Sequence, residues 1–448
     1  MTTANTVAAA LLLGAVVRVV ALPSSGTEDL AIRKVWSFGA THDLTGVYGV
    51  GDAAPEHPVL RWEKRAALLD HPPLAVEELA LVGHLYERAI PSFRESRLLS
   101  TAIKLPGLAA EIIFVAAALT WGRRRFGERA AVSTALAFWL NPGVILDGSV
   151  LGYIDAQGAV PGAAAVVAAF CGPPWLAGAL AAIGVMTKPQ IVFVAPAVVG
   201  PLLWRRPTAA LRALGEAASA AAVVSLALML PYLLRGAGWN VIQAVKQLAT
   251  HNMLSGYGAN VWWIAGWLFQ ASDNAGQLGW WSALTQPVQI VRITHVVAVG
   301  WPNPRLVGPI LVAVSSAWAL WQMRHAKTLA AAAAVGGWSV WAYTLFAAYV
   351  HENHMYAALP LFAIAAGADR RYRTFFYWTS AIFTLNLLLF YGLGPRFPSP
   401  INRRWTAIDA SVVLAIVNVA VFVGTYRKFS TSIRSSSDES MRGVVNAV

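Results

Sequence analysis

The sequence predicts an all-α, polytopic integral membrane protein. Three observations carry that expectation. Of 448 residues, 57% are hydrophobic and only 12% are charged, about half the charged share of an ordinary soluble domain. Apolar runs of about 20 residues, the length that crosses a hydrocarbon core of ~30 Å, recur from one end of the chain to the other. The basic residues behind the net charge of +12 sit in short clusters between these runs, as topology signals do, and not along one face as a nucleic-acid surface would have them. Membrane lipids are therefore the expected surroundings, and no nucleic-acid partner is expected. A single cysteine, Cys171, allows neither an internal disulfide nor a cysteine metal cluster.

Helical spans are expected near residues 5–23, 101–121, 129–149, 157–172, 175–187, 190–204, 208–234, 305–323, 328–349, 355–368, 374–394 and 406–425, about 12 in all (11 to 13). The first run has no basic region before it and no clear small-x-small site after it, so it reads as a retained span and not a cleaved signal. Arg18 within it can either snorkel outward or face protein. Several runs between 140 and 200 are short and broken by Pro or Gly, which points to broken or re-entrant helices there. The segment 285–303 is apolar enough to compete as a span. Arg292, His295 and the Trp301-Pro302 break favour an interfacial, partly helical loop instead.

On that reading the chain is one transmembrane domain over residues 1–429, with a polar, disordered tail over 430–448. The basic clusters Arg123–Arg125, Arg205–Arg206, Arg324 with Lys327, Arg370–Arg371 with Arg373, and Arg427–Lys428 all fall on one side, which the positive-inside rule makes cytoplasmic, together with both termini. The other side, outside the cytoplasm, carries two long connections. The first, 24–100, mixes an amphipathic helical pattern around 75–90 with Pro-rich turns. The second, 235–304, holds Trp239, Trp262, Trp263, Trp267, Trp280 and Trp281, a composition that suits the headgroup level as well as contact with a lipid substrate.

A set of polar residues lands at the outer ends of separate spans: Asp29 after the first, Asp70 in the first loop, Asp155, Lys188 with Gln190, and His351 with Glu352 and His354. Ionisable groups at membrane depth are costly and usually mark a site or a pathway. Each alone also has an ordinary structural reading: Asp29 as a helix-end residue, Asp155 and Lys188 as an ion pair, His351 as an interfacial polar group. Asp29, Asp70 and Asp155 could bind a hard cation, although acid–base or structural work accounts for them equally well. No metal and no cofactor are assigned. No Walker loop or dinucleotide fingerprint appears.

The stretches GTEDLAIRKVW around Asp29, LLDHPPLAVEEL around Asp70, LNPGVILDGSVLGYIDAQGAV, LAGALAAIGVMTKPQIVFVAP, NVWWIAGWLF and VHENHMYAALPLFAIAA occur in one order. That order resembles the polytopic GT-C glycosyltransferases over residues 26 to 366. The similarity is to the branch that glucosylates lipid-linked oligosaccharides from a dolichyl-phosphate-glucose donor, and to bacterial multispanning mannosyltransferase-like proteins. The sequence departs from the pattern in three of these stretches. His71 replaces the usual aromatic of D-Y-P-P, Gly152-Tyr153 stands where W-G-Q is common, and Asn353 stands where the H-E element usually has a basic residue.

The resemblance implies a hexosyltransferase that uses a polyprenyl-phosphate-sugar donor and a glycan or lipid-linked acceptor outside the cytoplasm, at the plasma membrane in a bacterium. It implies an inverting reaction with Asp29 as general base and Asp70 as a second catalytic candidate. Lys188 and His351 are expected on the phosphate side, with Asp155, Gln190, Glu352 and His354 in the substrate-binding set. Transfer to protein, including protein mannosylation, is the alternative within the enzymes. A non-catalytic transporter is the alternative outside them.

Overall fold

The computed structural model describes residues 3–50, 58–204, 207–248, 250–394 and 407–445, and the expected basic pair Arg205–Arg206 lies outside them. The chain is 78% helical. Every expected span coincides with a helix, but the helices fall into two classes. Seven are long and apolar enough to cross a membrane: Ala4–Ala21, Arg97–Phe126, Ala210–Leu234, Pro304–Gln322, Leu329–Phe346, Arg370–Tyr391 and Ala410–Ser435. An eighth crossing results if Glu128–Trp139 and Pro142–Leu151, bent by 45° at Leu140-Asn141, act as one broken span. The remaining four, Asp155–Cys171, Pro174–Thr187, Pro189–Trp204 and His354–Ala368, are shorter apolar helices.

Burial orders the bundle from centre to edge. Leu329–Phe346 is buried over 94% of its apolar window, whereas Ala4–Ala21 and Ala210–Leu234 are each buried over only 11%. The central helix begins LAAAAAVGG, apolar on every side and mostly small, which is the composition of a helix surrounded by others at close range. At the edge, Leu12, Val16, Val19, Val223 and Leu226 face outward, the arrangement expected of helices whose solvent is lipid.

The N-terminal helix α1 (Thr3–Ala21) is held by Arg18, which faces protein. Its guanidinium bonds Glu111 Oε2 at 2.6 Å and the Trp139 carbonyl at 2.7 Å, and it lies 3.8 Å above the Trp139 ring. Both charges are buried, and a fully buried ion pair persists only when paired and hydrogen-bonded in this way. Of the two open possibilities for Arg18, snorkelling is thus excluded.

The first long connection folds into α2 (Glu28–His42), a short antiparallel hairpin of β1 (Leu60–Trp62) and β2 (Arg65–Ala67), and α3 (Pro73–Ala89). It encloses its own core of Leu30, Val35, Trp36, Tyr48, Val76 and Leu79. The hairpin is a departure from the all-α expectation, too short to have shown a period in the sequence. The segment 285–303 contains only a six-residue helix, Ile293–Ala298, far short of a crossing. The tail expected to be disordered from Ser430 instead continues the last helix, Ala410–Val445. Its start is tied down because Phe429 and Ile433 are fully buried and Tyr372 donates to the Ser432 carbonyl at 3.3 Å.

The basic clusters within the described residues gather at one end of the bundle. Lys428 reaches Thr374 at 3.1 Å, Arg371 reaches Ser435 at 3.1 Å, and Gln322, just before Arg324, approaches Ser430 at 3.5 Å. Phe126, next to Arg123–Arg125, shares a pocket with Leu329 and Ala368. Along the central helix this basic end and the His351 turn are separated by 18 residues of helix, about 27 Å at 1.5 Å per residue. That is close to the thickness of a hydrocarbon core.

Candidate functional site

At the end away from the basic clusters, α2, the hairpin, the Lys188 turn and the His351 turn enclose a cavity of about 470 Å³. Gly26 makes its geometry possible. Its φ is +65°, and a Cβ there would come within 2.5 Å of the Leu151 carbonyl, so the chain turns sharply from α1 into α2. Thr27 N–H then bonds that same carbonyl at 3.1 Å, fixing the start of α2 against the end of the broken span. Helical spacing aligns Asp29, Ile32, Arg33 and Trp36 on the cavity wall.

Asp29 and Asp70 occupy different environments. The Asp29 carboxylate is 50% exposed, and the only cation paired with it among the described residues is Arg33, at 4.0 Å. Arg33 is itself buried and donates to the Gly152 carbonyl. Asp70 is held on both sides: His71 Nδ1 lies 2.8 Å from Oδ1 and His251 Nε2 lies 3.7 Å from Oδ2. Burial would raise the Asp70 pKa, but the His71 hydrogen bond and the surrounding imidazoles outweigh it and hold the carboxyl below its usual range. His251 is pushed below the ordinary imidazole range by burial, against the pull of Asp70. The His71 contact, the shorter of the two, is the main clasp on Asp70. His71 is positioned in turn by the Tyr48 hydroxyl donating to its carbonyl at 2.7 Å and by contact with the Trp36 ring at 4.9 Å.

The same cavity is lined by Lys188 and Gln190, with His351, Asn353 and His354. Lys188 ends the helix Pro174–Thr187 in an extended conformation (φ −146°, ψ 108°), with Pro189 next, as the residue before a proline prefers. Its ammonium bonds Asp155 Oδ1, and Asn353 Nδ2 donates to Asp155 Oδ2 at 3.0 Å. Gln190 Nε2 is buried without a hydrogen-bond partner, an unspent donor at the cavity wall. His351 is 34% exposed and its backbone bridges to Gly256 and Tyr257. The His354 Nδ1 is 2.9 Å from the Tyr343 hydroxyl. The rings of His251 and His351 are 6.0 Å apart, and those of His351 and His354 5.6 Å.

Six of the eight residues expected from the sequence thus line one cavity: Asp29, Asp70, Lys188, Gln190, His351 and His354. Asp155 and Glu352 stand behind the wall. Asp155 is spent on Lys188 and Asn353, while Glu352 accepts from Tyr153 at 2.6 Å and Tyr391 at 3.0 Å. Arg33, Trp36 and His251 line the cavity but were not singled out in the sequence, and His71 and Asn353 entered only as departures from a pattern. Helical spacing from Asp29 was the available signal for Arg33 and Trp36; nothing local marked His251, which arrives from the second long connection. Asp29, Asp70 and Asp155 do not form a cation cage, and no group of three or more His, Cys, Asp or Glu placed to hold a metal ion occurs among the described residues.

Fold and site together define a helical membrane protein with an acid- and histidine-lined cavity at one end of its bundle. No family model and no curated protein matches the chain.

Proposed function

We propose that this protein is a polyprenyl-phosphate-sugar-dependent glycosyltransferase. It moves a hexose, mannose or glucose, to a lipid-linked or cell-envelope glycan acceptor on the extracytoplasmic face. The observation that carries the reading is that one cavity holds a half-exposed, loosely paired Asp29 carboxylate together with the hydrogen-bond donors of Gln190, His351 and His354 and the Lys188 ammonium paired with Asp155. The order of sequence stretches that resembles the GT-C enzymes supports the same reading. On this proposal the acceptor hydroxyl oxygen attacks the anomeric carbon, Asp29 takes the hydroxyl proton, and the sugar–phosphate C–O bond breaks with its electron pair leaving on phosphate. The configuration inverts and no enzyme nucleophile is needed. Gln190 and the imidazoles hydrogen-bond the departing phosphate, with the Lys188 ammonium beside them held in place by Asp155. The four shorter helices complete about 12 crossings with both termini cytoplasmic.

Purified protein incubated with a panel of polyprenyl-phosphate hexoses and an envelope-glycan acceptor tests the proposal. Transfer that requires the lipid-linked donor is the expected result. Equal turnover of a soluble nucleotide sugar without any lipid carrier would sink it, and so would substrate transport without sugar release.

A further inference from the structure

A second cavity, larger than the Asp29 cavity, lies beside it. On the adjoining face of α2 a groove of about 1080 Å³ runs between α1, the broken span and the helix Arg373–Tyr391. Its two ends differ in chemistry. One end carries Lys34, Arg65 and Arg97, with a single lining carboxylate, Glu95. Glu95 is shared: Lys34 and Arg65 both bond it, and the two cations hold its carboxyl below the usual range against the effect of burial. Lys34 is buried, with its ammonium also 2.8 Å from Ser100 Oγ. Arg65 and Arg97 reach solvent, and Glu63 Oε1 accepts from the Glu95 N–H at 2.9 Å, so three cations against two carboxylates leave this end with a small excess of positive charge.

The other end is apolar. Val17 and Val20 of α1, Leu146 and Val150 of the broken span, and Leu388 and Leu393 form its walls. Val20 is 76% exposed and Leu393 51%. Arg97 is the first residue of the span Arg97–Phe126, and the contacts Arg18–Glu111 and Lys104–Ser24 place the end of α1 between Lys104 and Glu111 along it. The cations therefore sit at the headgroup end of one crossing, beyond the end of α1, and the apolar walls lie on the membrane side of them. A sugar or a soluble anion matches only one end of this groove.

We propose that the groove is a binding site for one anionic phospholipid of the bilayer, with its phosphate at Lys34, Arg65 and Arg97 and an acyl chain along Val17, Val20 and Leu146. The site is separate from the Asp29 cavity. Charge complementarity selects the headgroup, while the apolar walls hold the chain. The inference does not depend on glycosyl transfer, and its test measures binding alone.

Full-length protein is examined by native mass spectrometry and by thermal unfolding, after exchange into detergent containing phosphatidylglycerol, phosphatidylcholine or inorganic phosphate. Wild-type protein should retain one phosphatidylglycerol and melt at a higher temperature with it, but gain nothing from phosphatidylcholine or phosphate. The Arg65→Gln/Arg97→Gln variant should bind phosphatidylglycerol about tenfold more weakly or worse, since each basic group near a lipid phosphate contributes a factor of several. Val20→Trp, which fills the apolar end from an exposed position, should weaken binding comparably without touching the cations. Arg124→Gln at the opposite end should bind as wild type does. Stabilisation by phosphate alone would reduce the site to an anion site. Equal retention of both lipids, loss of binding in Arg124→Gln, or full retention by the two groove variants would overturn the proposal.

Discussion

Two aspartates in one cavity invite the same role, and their surroundings separate them. Asp29 has an exposed carboxylate and one distant cation, so Asp29→Asn keeps the shape, leaves folding intact and removes only the basic oxygen. Single-turnover transfer should fall by about 10²- to 10⁴-fold with an unchanged melting temperature; near wild-type transfer by folded Asp29→Asn would pass the base role to Asp70. Asp70 is the reverse case. Its carboxyl is held below the usual range, so its contribution to stability is present above the unfolded carboxylate pKa of about 4 and is lost as pH falls through the lower folded value. Asp70→Asn should lower the melting temperature at pH 7, keep measurable turnover, and flatten the loss of stability on acidification below about pH 4. A melting series from pH 7 to 3 on both proteins checks this. Lys188 at the cavity and Asp155 behind it form a buried pair. Lys188→Met strands a carboxylate and should cost about 3–5 kcal/mol, with Lys188→Met/Asp155→Leu recovering most of that stability but not turnover.

At the scale of elements, twelve apolar runs were legible because each keeps its hydrophobicity over three or more turns. How many of them cross was not, because hydropathy cannot distinguish a helix facing lipid from one facing protein. Leu329–Phe346, buried over 94% of its window, and Ala210–Leu234, buried over 11%, have mean hydropathies of 1.3 and 2.0. Close packing was equally hidden. The helices Pro174–Thr187 and Ala210–Leu234 touch so tightly that a Cβ at Gly178 would lie 1.8 Å from the Ala217 carbonyl, yet nothing local distinguishes this glycine from its neighbours. Gly178→Val must push the two helices apart. Overpacking of this kind costs about 1–3 kcal/mol or more, so its melting temperature should fall well below wild type, whereas Gly215→Ala, with open space around it, should be neutral or slightly stabilising. On the Asp29 side only Asp29 itself was read, from its place at the outer end of a span; Arg33 and Trp36 follow it on one helix face, a signal that was present but not used. His251 carried no such signal, because a long-range approach brings it to Asp70.

Across the whole molecule, the described basic clusters and the polar cavity occupy opposite ends of a bundle about as long as a bilayer is thick. This polarity is built from contacts between distant segments, so it does not depend on how the segment 285–303 is counted. The six-residue helix there cannot reverse the direction of later helices, and Gln322, Arg371 and Lys428 meet partners at one end regardless. If positive charge marks the cytoplasmic side, single cysteines placed at Arg124, His325 and Arg371 in a protein lacking Cys171 should all react with an impermeant maleimide only after the inner face is opened. A cysteine at Val59, on the cavity side, should react in intact cells. Reaction of the His325 or Arg371 position from outside, with the Arg124 position still protected, would require an odd number of crossings between them that the packing at the basic end does not allow. Reaction of all three from outside would invert the whole molecule and place the Asp29 cavity in the cytoplasm, where an extracytoplasmic acceptor could not reach it.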